Sequence, residues 1–528
     1  MRFLMQESFS RRGQVYVTPG ALELLELSVL FRDRLEDALD YLTTDLAEIR
    51  YRNDLFRDLM EQPALLQELS GLYQALRTLM ELRALQTGSA SVLLQSLQIM
   101  QELPVQMQRT AGCIRDRRET LRCPGFARLA DTLSEYVRSA FPESSMQKWE
   151  RYTRGLSQPV SLTYRVVFND DLHIAKAALV RVDDAPYTTQ SKLTRIMHWQ
   201  YPGSMDMPTQ SLFAKRAGIQ DEKPGPIELY SLHAKDENRL LLADERTEIR
   251  RDIFSVLREA LGQLERAQTE QALVQLRAFA RQATQEFQNL TAELHFLLGC
   301  MGVIQDLRDG LYPICFAEPC PPQQRTLQAQ EAFHPLLAYR EQATRNPVDF
   351  AAWGELLLLS GVNTGGKTTY LQTVGCLQLF LQLGLPVPAQ SARISVADAI
   401  ALAFSMDETE AAGRGKLGLE LAQLKEAIFH TGADSLVLFN EPLTGASPGV
   451  CAQLMRELLA VVKLREARGL WVTHQLDVVA RYGLANACLP GSRLGSIFVS
   501  LREGRPDYAI RTGVPERNRY ASELFARQ

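Results

Sequence analysis

Gly361-Val362-Asn363-Thr364-Gly365-Gly366-Lys367-Thr368 comes one residue after the apolar run Leu356-Leu357-Leu358-Leu359. A buried strand, a glycine-rich turn and a helix starting near Lys367 aim several backbone N–H groups and a helix N-terminus at one point, and such a point holds a polyphosphate. We read a P-loop whose nucleotide-binding residues are Gly361, Val362, Asn363, Thr364, Gly365, Gly366, Lys367, Thr368 and Thr369. Gly365 and Gly366 let the backbone approach without a Cβ in the way. Lys367 is expected to reach the β and γ phosphates, and the Thr368 hydroxyl to ligate Mg²⁺.

Two further apolar strands are expected downstream, and each ends in polar residues. Ser435 to Phe439 leads into Asn440-Glu441, where P-loop ATPases usually carry Asp-Glu, and Leu470-Trp471-Val472 leads into Thr473-His474. Glu441 is placed to polarise an attacking water. Three strands ending in phosphate-facing residues on one sheet edge describe a catalytic nucleotide site.

An ordered set of motifs resembles the MutS family of DNA mismatch repair ATPases. They are Phe333-His334-Pro335-Leu336 and Asn346-Pro347, the P-loop through Tyr370, Val387-Pro388-Ala389-Gln390, Gly413-Arg414 with Glu420, Leu436 to Glu441, Thr444-Gly445-Ala446-Ser447, and Thr473-His474. The resemblance implies ATP and Mg²⁺ as cofactors, with Thr368 and Asn440 at the metal. It gives Glu441, His474 and Lys367 catalytic roles: general base, γ-phosphate sensor and charge stabiliser. It also implies a homodimer formed through the ATPase domains, in which a signature loop, here Gly415-Lys416, reaches the opposite subunit's nucleotide.

The rest of the chain is organised around this domain. At 528 residues it is too long for one core. We expect a multidomain protein: a helical core or lever region (1–154), a β-rich clamp-like insertion (155–246), lever helices and a linker (247–324), and an α/β P-loop ATPase domain of ABC/MutS type (325–528). Leu35, Leu39, Leu42, Leu46 and Ile49 recur at the spacing of one helix face. Val160 to Phe168 alternates apolar and polar residues as a half-buried strand does, and a second strand is expected at about Ala177 to Val182. Glu503-Gly504 reads as the turn of a late hairpin.

The net charge of −4 gives no overall attraction to nucleic acid, so any DNA contact must come from local patches. Arg109, Arg115, Arg117, Arg118, Arg122 and Arg128 form one cluster; we read it as a solvated helix face, interrupted by Asp116 and Glu119, rather than a phosphate track. The eight cysteines include no Cys-x-x-Cys pair, which suggests neither a zinc site nor a disulfide framework. There is no long apolar leader, and no run reaches the roughly 18 residues that span a bilayer. A reduced, cytoplasmic protein is the expectation.

Lever-like sequence begins within about 45 residues of Met1, so a mismatch-reading wedge domain is not expected, nor is a C-terminal nuclease-like extension. Three departures from the family pattern stand out. Asn440 replaces the strand-end Asp, Gly415-Lys416 replaces Ser-Thr, and Ala343 stands where an aromatic would stack on adenine. The first functional expectation is an ATPase that couples nucleotide state to DNA binding in mismatch repair or recombination-related DNA metabolism. The alternative is a nucleotide-switched binding protein with little hydrolysis, acting on a protein or ribonucleoprotein partner.

Overall fold

The computed structural model describes residues 3–5, 15–31, 34–35, 37–84, 90–141, 161–168, 174–183, 281–309, 312–340, 342–362, 364–405, 415–502 and 505–515. The chain forms two compact units, one of residues 1–70, 112–132 and 289–528 and the other of residues 71–111 and 133–288.

The first unit is built on a seven-stranded sheet: β1 (Tyr16–Val17), β2 (Leu356–Ser360), β3 (Ala399–Phe404), β4 (Leu436–Asn440), β5 (Arg468–Val472), β6 (Leu494–Arg502) and β7 (Arg505–Thr512). Their spatial order is β1-β3-β4-β5-β2-β6-β7, all pairs parallel except β6 with β7. Every residue of β2, β3, β4 and β5 is buried. Parallel strands covered on both faces need such continuous apolar runs. One face packs Phe439 edge-on to Trp471, ring centroids 5.1 Å apart, in a core with Leu424, Met455 and Leu459. A second sheet, ordered Glu318–Cys320, Ser391–Ser395, Leu327–Ala332, Asn346–Asp349, joins three segments that precede the P-loop to one that follows it.

Register decides where the site forms. Leu359 lies beside Val472, and Val472 beside Asn440. The residues that follow each strand, Gly361, Thr473-His474 and Glu441, therefore leave the sheet at one level, outside the carboxyl ends of parallel strands where such folds bind ligands.

Arg468 ties the two sheets together. Its guanidinium is buried and donates to the carbonyls of Thr326 (3.0 Å), Ser395 (2.5 Å) and Val396 (3.3 Å) and to Gln378 Oε1 (3.2 Å). Burial pulls its pKa down to about 10.

The N-terminal segment is part of this unit. β1 adds an edge strand beside β3, with Tyr16 opposite Ala399; a strand of two residues has no periodicity to announce it. The expectation that Leu35 through Ile49 share one helix is corrected. Ala38–Tyr41 is a 3₁₀ turn, residues 42–45 are non-helical, and the α-helix starts at Leu46. Thr43-Thr44-Asp45 sets the break: Asp45 caps the new helix by accepting from Ala47 N (2.8 Å) and Glu48 N (3.3 Å), and Thr43 Oγ1 accepts from Asp45 N. The helix Leu46–Glu61 carries a buried ion pair, Arg52 to Glu48 at 2.8 Å. Arg52 also donates to the carbonyls of Tyr41 and Leu383, the latter closing the helix that follows the P-loop. Gln382 of that helix donates to Thr43 O and Gln372 to Leu24 O.

Much of the arginine cluster is spent internally. Arg122 pairs with Asp58 and Glu61, Arg128 donates to the Tyr51 hydroxyl, and Arg117 to Cys113 O. Arg109, Arg115 and Arg118 are exposed.

In the second unit, Tyr136 packs edge-on to Phe287 with centroids 4.5 Å apart. The expected strands are present as an antiparallel pair, Ser161–Phe168 with Ile174–Asp183. The remainder of the β-rich insertion, 155–160, 169–173 and 184–246, and the first part of the expected lever helix lie outside the described residues; residues 281–309 are helical. Among the described residues no helix is long and apolar enough to cross a membrane.

Candidate nucleotide site

The strand–loop–helix expected around Lys367 is present, with β2 ending at Ser360 and a helix running Lys367–Leu383. Among the described residues of the loop, Gly361 (φ 143°), Thr364 (φ 63°) and Gly366 (φ 81°) have positive φ. Gly366 accepts that conformation freely. For the β-branched Thr364 it is strain, of the kind found where a loop is shaped for a ligand. Asn363 lies outside the described residues.

Lys367 is 5% exposed, and its Nζ donates to the carbonyls of Gly361 (3.1 Å) and Val362 (3.0 Å). The same nitrogen lies 3.7 Å from Glu441 Oε1, and His474 Nε2 lies 2.7 Å from that oxygen. Burial opposes ionisation of Glu441, but the His474 hydrogen bond and the Lys367 charge overcome it and hold its pKa below the usual carboxylate value. Lys367 is shifted down by burial, partly offset by Glu441. Glu441 is also held at φ 49°, a second strained residue in the site.

Thr368 Oγ1 donates to Asn440 Oδ1 at 3.3 Å. Thr368 Oγ1 and Asn440 Oδ1 are two adjacent neutral oxygens of the kind that would hold a Mg²⁺. Gly415 and Lys416 open the helix Lys416–Phe429 and do not line the cavity above the P-loop. On that helix the buried Glu420 accepts from Thr444 Oγ1 (2.7 Å) and Gly445 N (2.9 Å), binding two of the sequence motifs to each other.

The cavity holds about 690 Å³ and runs from Thr364–Thr369, Thr373 and Glu441 to His334, Leu337, Gln342, Thr344 and Tyr508. That is ample for a nucleoside triphosphate. Sequence reasoning missed Tyr508. It sits on β7 with φ 58°, and a Cβ added to Gly366 would lie 3.2 Å from its ring. Its carbonyl accepts from Asn346 Nδ2, so the Asn346-Pro347 motif fixes the strand that brings the aromatic to the cavity. No local pattern marks Tyr508; 141 residues separate it from Lys367, and only the β6–β7 hairpin brings them together.

A parallel sheet with a P-loop at its centre, and Thr368, Asn440, Glu441 and His474 gathered at one edge, defines a P-loop nucleotide-binding domain of the ATPase type. The family model of MutS domain V matches residues 357–487, and that of the MutS2 N-terminal domain matches residues 44–310, half of the chain. The chain belongs to the MutS family. It is 29% identical over 195 residues to Endonuclease MutS2 of Streptococcus equi subsp. equi, covering 37% of this chain and 24% of that protein. It is 30% identical over 266 residues to Endonuclease MutS2 of Exiguobacterium sibiricum, covering 48% and 31%. DNA mismatch repair protein MutS of Synechococcus sp. is 31% identical over 147 residues, 27% of this chain and 16% of that protein. The chain thus spans about a quarter to a third of the length of the MutS2 relatives it matches.

Proposed function

We propose that this chain is an ATPase whose nucleotide state governs its binding to DNA, in mismatch repair or recombination-related metabolism. The observation that carries the reading is the convergence of Lys367, Glu441 and His474 within 3.7 Å contacts above a P-loop. In this reading the loop amides and Lys367 hold the β and γ phosphates, and Thr368 and Asn440 hold Mg²⁺. The metal, when bound, supplies charge neutralisation on the phosphate oxygens. Glu441 orients the attacking water and takes its proton, and His474 holds the Glu441 carboxylate and senses the γ phosphate.

Two copies pair through their ATPase domains, each supplying Gly415 and Lys416 to the other's nucleotide. Lys416 then contributes a cation at a phosphate. The protein acts in the cytoplasm, and the helical and β-rich segments outside the ATPase domain meet DNA. The test is DNA affinity of the full chain without nucleotide, with ADP and with a slowly hydrolysed ATP analogue. A change of about tenfold or more between states is the expected result, which corresponds to a coupling of about 1.4 kcal/mol. Equal affinities in all three would contradict the reading.

Asn440 favours a second reading, a nucleotide-switched binding protein that hydrolyses little and acts on a protein or ribonucleoprotein. A neutral amide at this position leaves the metal one negative charge short. Asn440→Asp is expected to lower the Mg²⁺ concentration for half-maximal hydrolysis by about tenfold. If the variant hydrolyses no faster at any Mg²⁺ concentration, metal binding is not what limits the wild type.

A further inference from the structure

With the phosphates on the P-loop, the nucleobase falls to the cavity wall that other segments supply, His334, Leu337, Gln342, Thr344 and Asn346. Most polar side chains there are already committed. Asn346 uses both amide atoms on β7, donating to Tyr508 O (2.9 Å) and accepting from Ile510 N (2.9 Å). His334 Nε2 lies 3.1 Å from Leu25 O, and since a carbonyl only accepts, that nitrogen donates; its Nδ1 is buried with no surface to offer a ligand. The Tyr370 hydroxyl donates to Pro347 O.

Gln342 and Thr344 remain. Both are exposed at the cavity, and among the described residues neither side chain makes a hydrogen bond. The backbone of Gln342 is anchored, its N–H donating to Leu337 O at 2.9 Å, so a free amide is presented from a fixed point. Gln342 is the longer of the two, and a primary amide both donates and accepts. Adenine offers a donor at its 6-amino group next to an acceptor at N1, whereas guanine offers an acceptor at O6 next to a donor at N1. A glutamine amide satisfies either pair by turning over.

We propose that Gln342 is the specificity-determining side chain for the base, and that its amide makes this a site for purine nucleoside triphosphates rather than for ATP alone. The inference rests on the nucleotide reading of the cavity. A carboxylate at this position accepts only. It pairs with the two adjacent donors of guanine, N1–H and the 2-amino group, and meets repulsion from the N1 lone pair of adenine. Added charge also repels the triphosphate, but equally for both nucleotides, so the ratio of affinities isolates the base contact. Backbone groups of residues 343–345 are unchanged by substitution at 342.

The experiment is competition of unlabelled ATP and GTP against a fluorescent ATP analogue on the full chain, for wild type, Gln342→Glu and Gln342→Leu. In wild type the two dissociation constants should lie within about tenfold. Gln342→Glu should move their ratio toward GTP by about tenfold or more, as a hydrogen bond to a charged group allows. Gln342→Leu should weaken both and leave the ratio within about threefold of wild type. A wild-type preference for ATP above about a hundredfold, unchanged in Gln342→Glu, would overturn the inference while leaving nucleotide binding intact. If neither nucleotide displaces the probe in wild type, the nucleotide reading itself fails.

Discussion

Lys367→Ala should reduce ATP hydrolysis by at least about a hundredfold and weaken ATP binding in parallel. Lys367 is nearly buried, and its ammonium has three oxygen neighbours: the carbonyls of Gly361 and Val362 and the Glu441 carboxylate. A charge that is desolvated, and whose pKa is already lowered by burial, gains most from an anion brought against it. In the proposed nucleotide site the β and γ phosphates are that anion. On nucleotide binding Lys367 exchanges the loop carbonyls for phosphate oxygens, so its removal costs both ground-state binding and stabilisation of charge in the transition state. Lys367→Met keeps the aliphatic stem and should lose as much. Methionine at this position with near wild-type hydrolysis would show that packing, not charge, is what the residue contributes. Thermal unfolding of both variants separates loss of the site from loss of the fold.

Glu441→Gln should slow hydrolysis by about 10²–10³-fold while ATP affinity stays within about threefold. Glutamine keeps the length and the contact with His474 but cannot take a proton from water. The pKa direction sharpens this expectation. With Lys367 and His474 beside it, Glu441 is ionised below the usual carboxylate range, which makes it a proton acceptor at neutral pH but a weaker base than a free carboxylate. When Lys367 turns to the phosphates, one of the groups that lower this pKa moves away and the carboxylate becomes more basic just as substrate arrives. The variant should therefore hold ATP without consuming it, and an ATP-dependent dimer should persist on size-exclusion chromatography where that of the wild type decays. If wild type and variant dimerise and hydrolyse alike, Glu441 is not the base, and the nucleotide-switched binding reading gains ground.

The residues at the phosphate end were legible in the sequence because each is announced by its neighbours. An apolar strand directly precedes Gly361, Asn440-Glu441 and Thr473-His474, and parallel pairing in register carries all three ends to one edge. The rest of the cavity wall was not legible. Tyr508, Gln342 and His334 come from a late hairpin, a turn and a loop, and are assembled by tertiary pairing, such as that of Asn346 with β7, which has no local signature. The helical face inferred from Leu35 to Ile49 failed for a related reason. Leucine spacing registers a period, but Thr43 and Asp45 offered the backbone local hydrogen bonds that end one turn and start another. The arginine cluster is not the one solvated helix face expected of it: its members lie on two helices and the turn between them, and Asp58 and Glu61, distant in sequence, absorb Arg122.

The most direct test of a DNA-coupled ATPase is steady-state ATP hydrolysis by the full chain with no DNA, homoduplex, mismatched duplex and branched DNA, with Lys367→Ala as the blank. The account predicts that at least one DNA form changes the rate several-fold, about threefold or more, and that the change is absent in the blank. Measurable ATP binding with hydrolysis at the level of the blank on every DNA would contradict it.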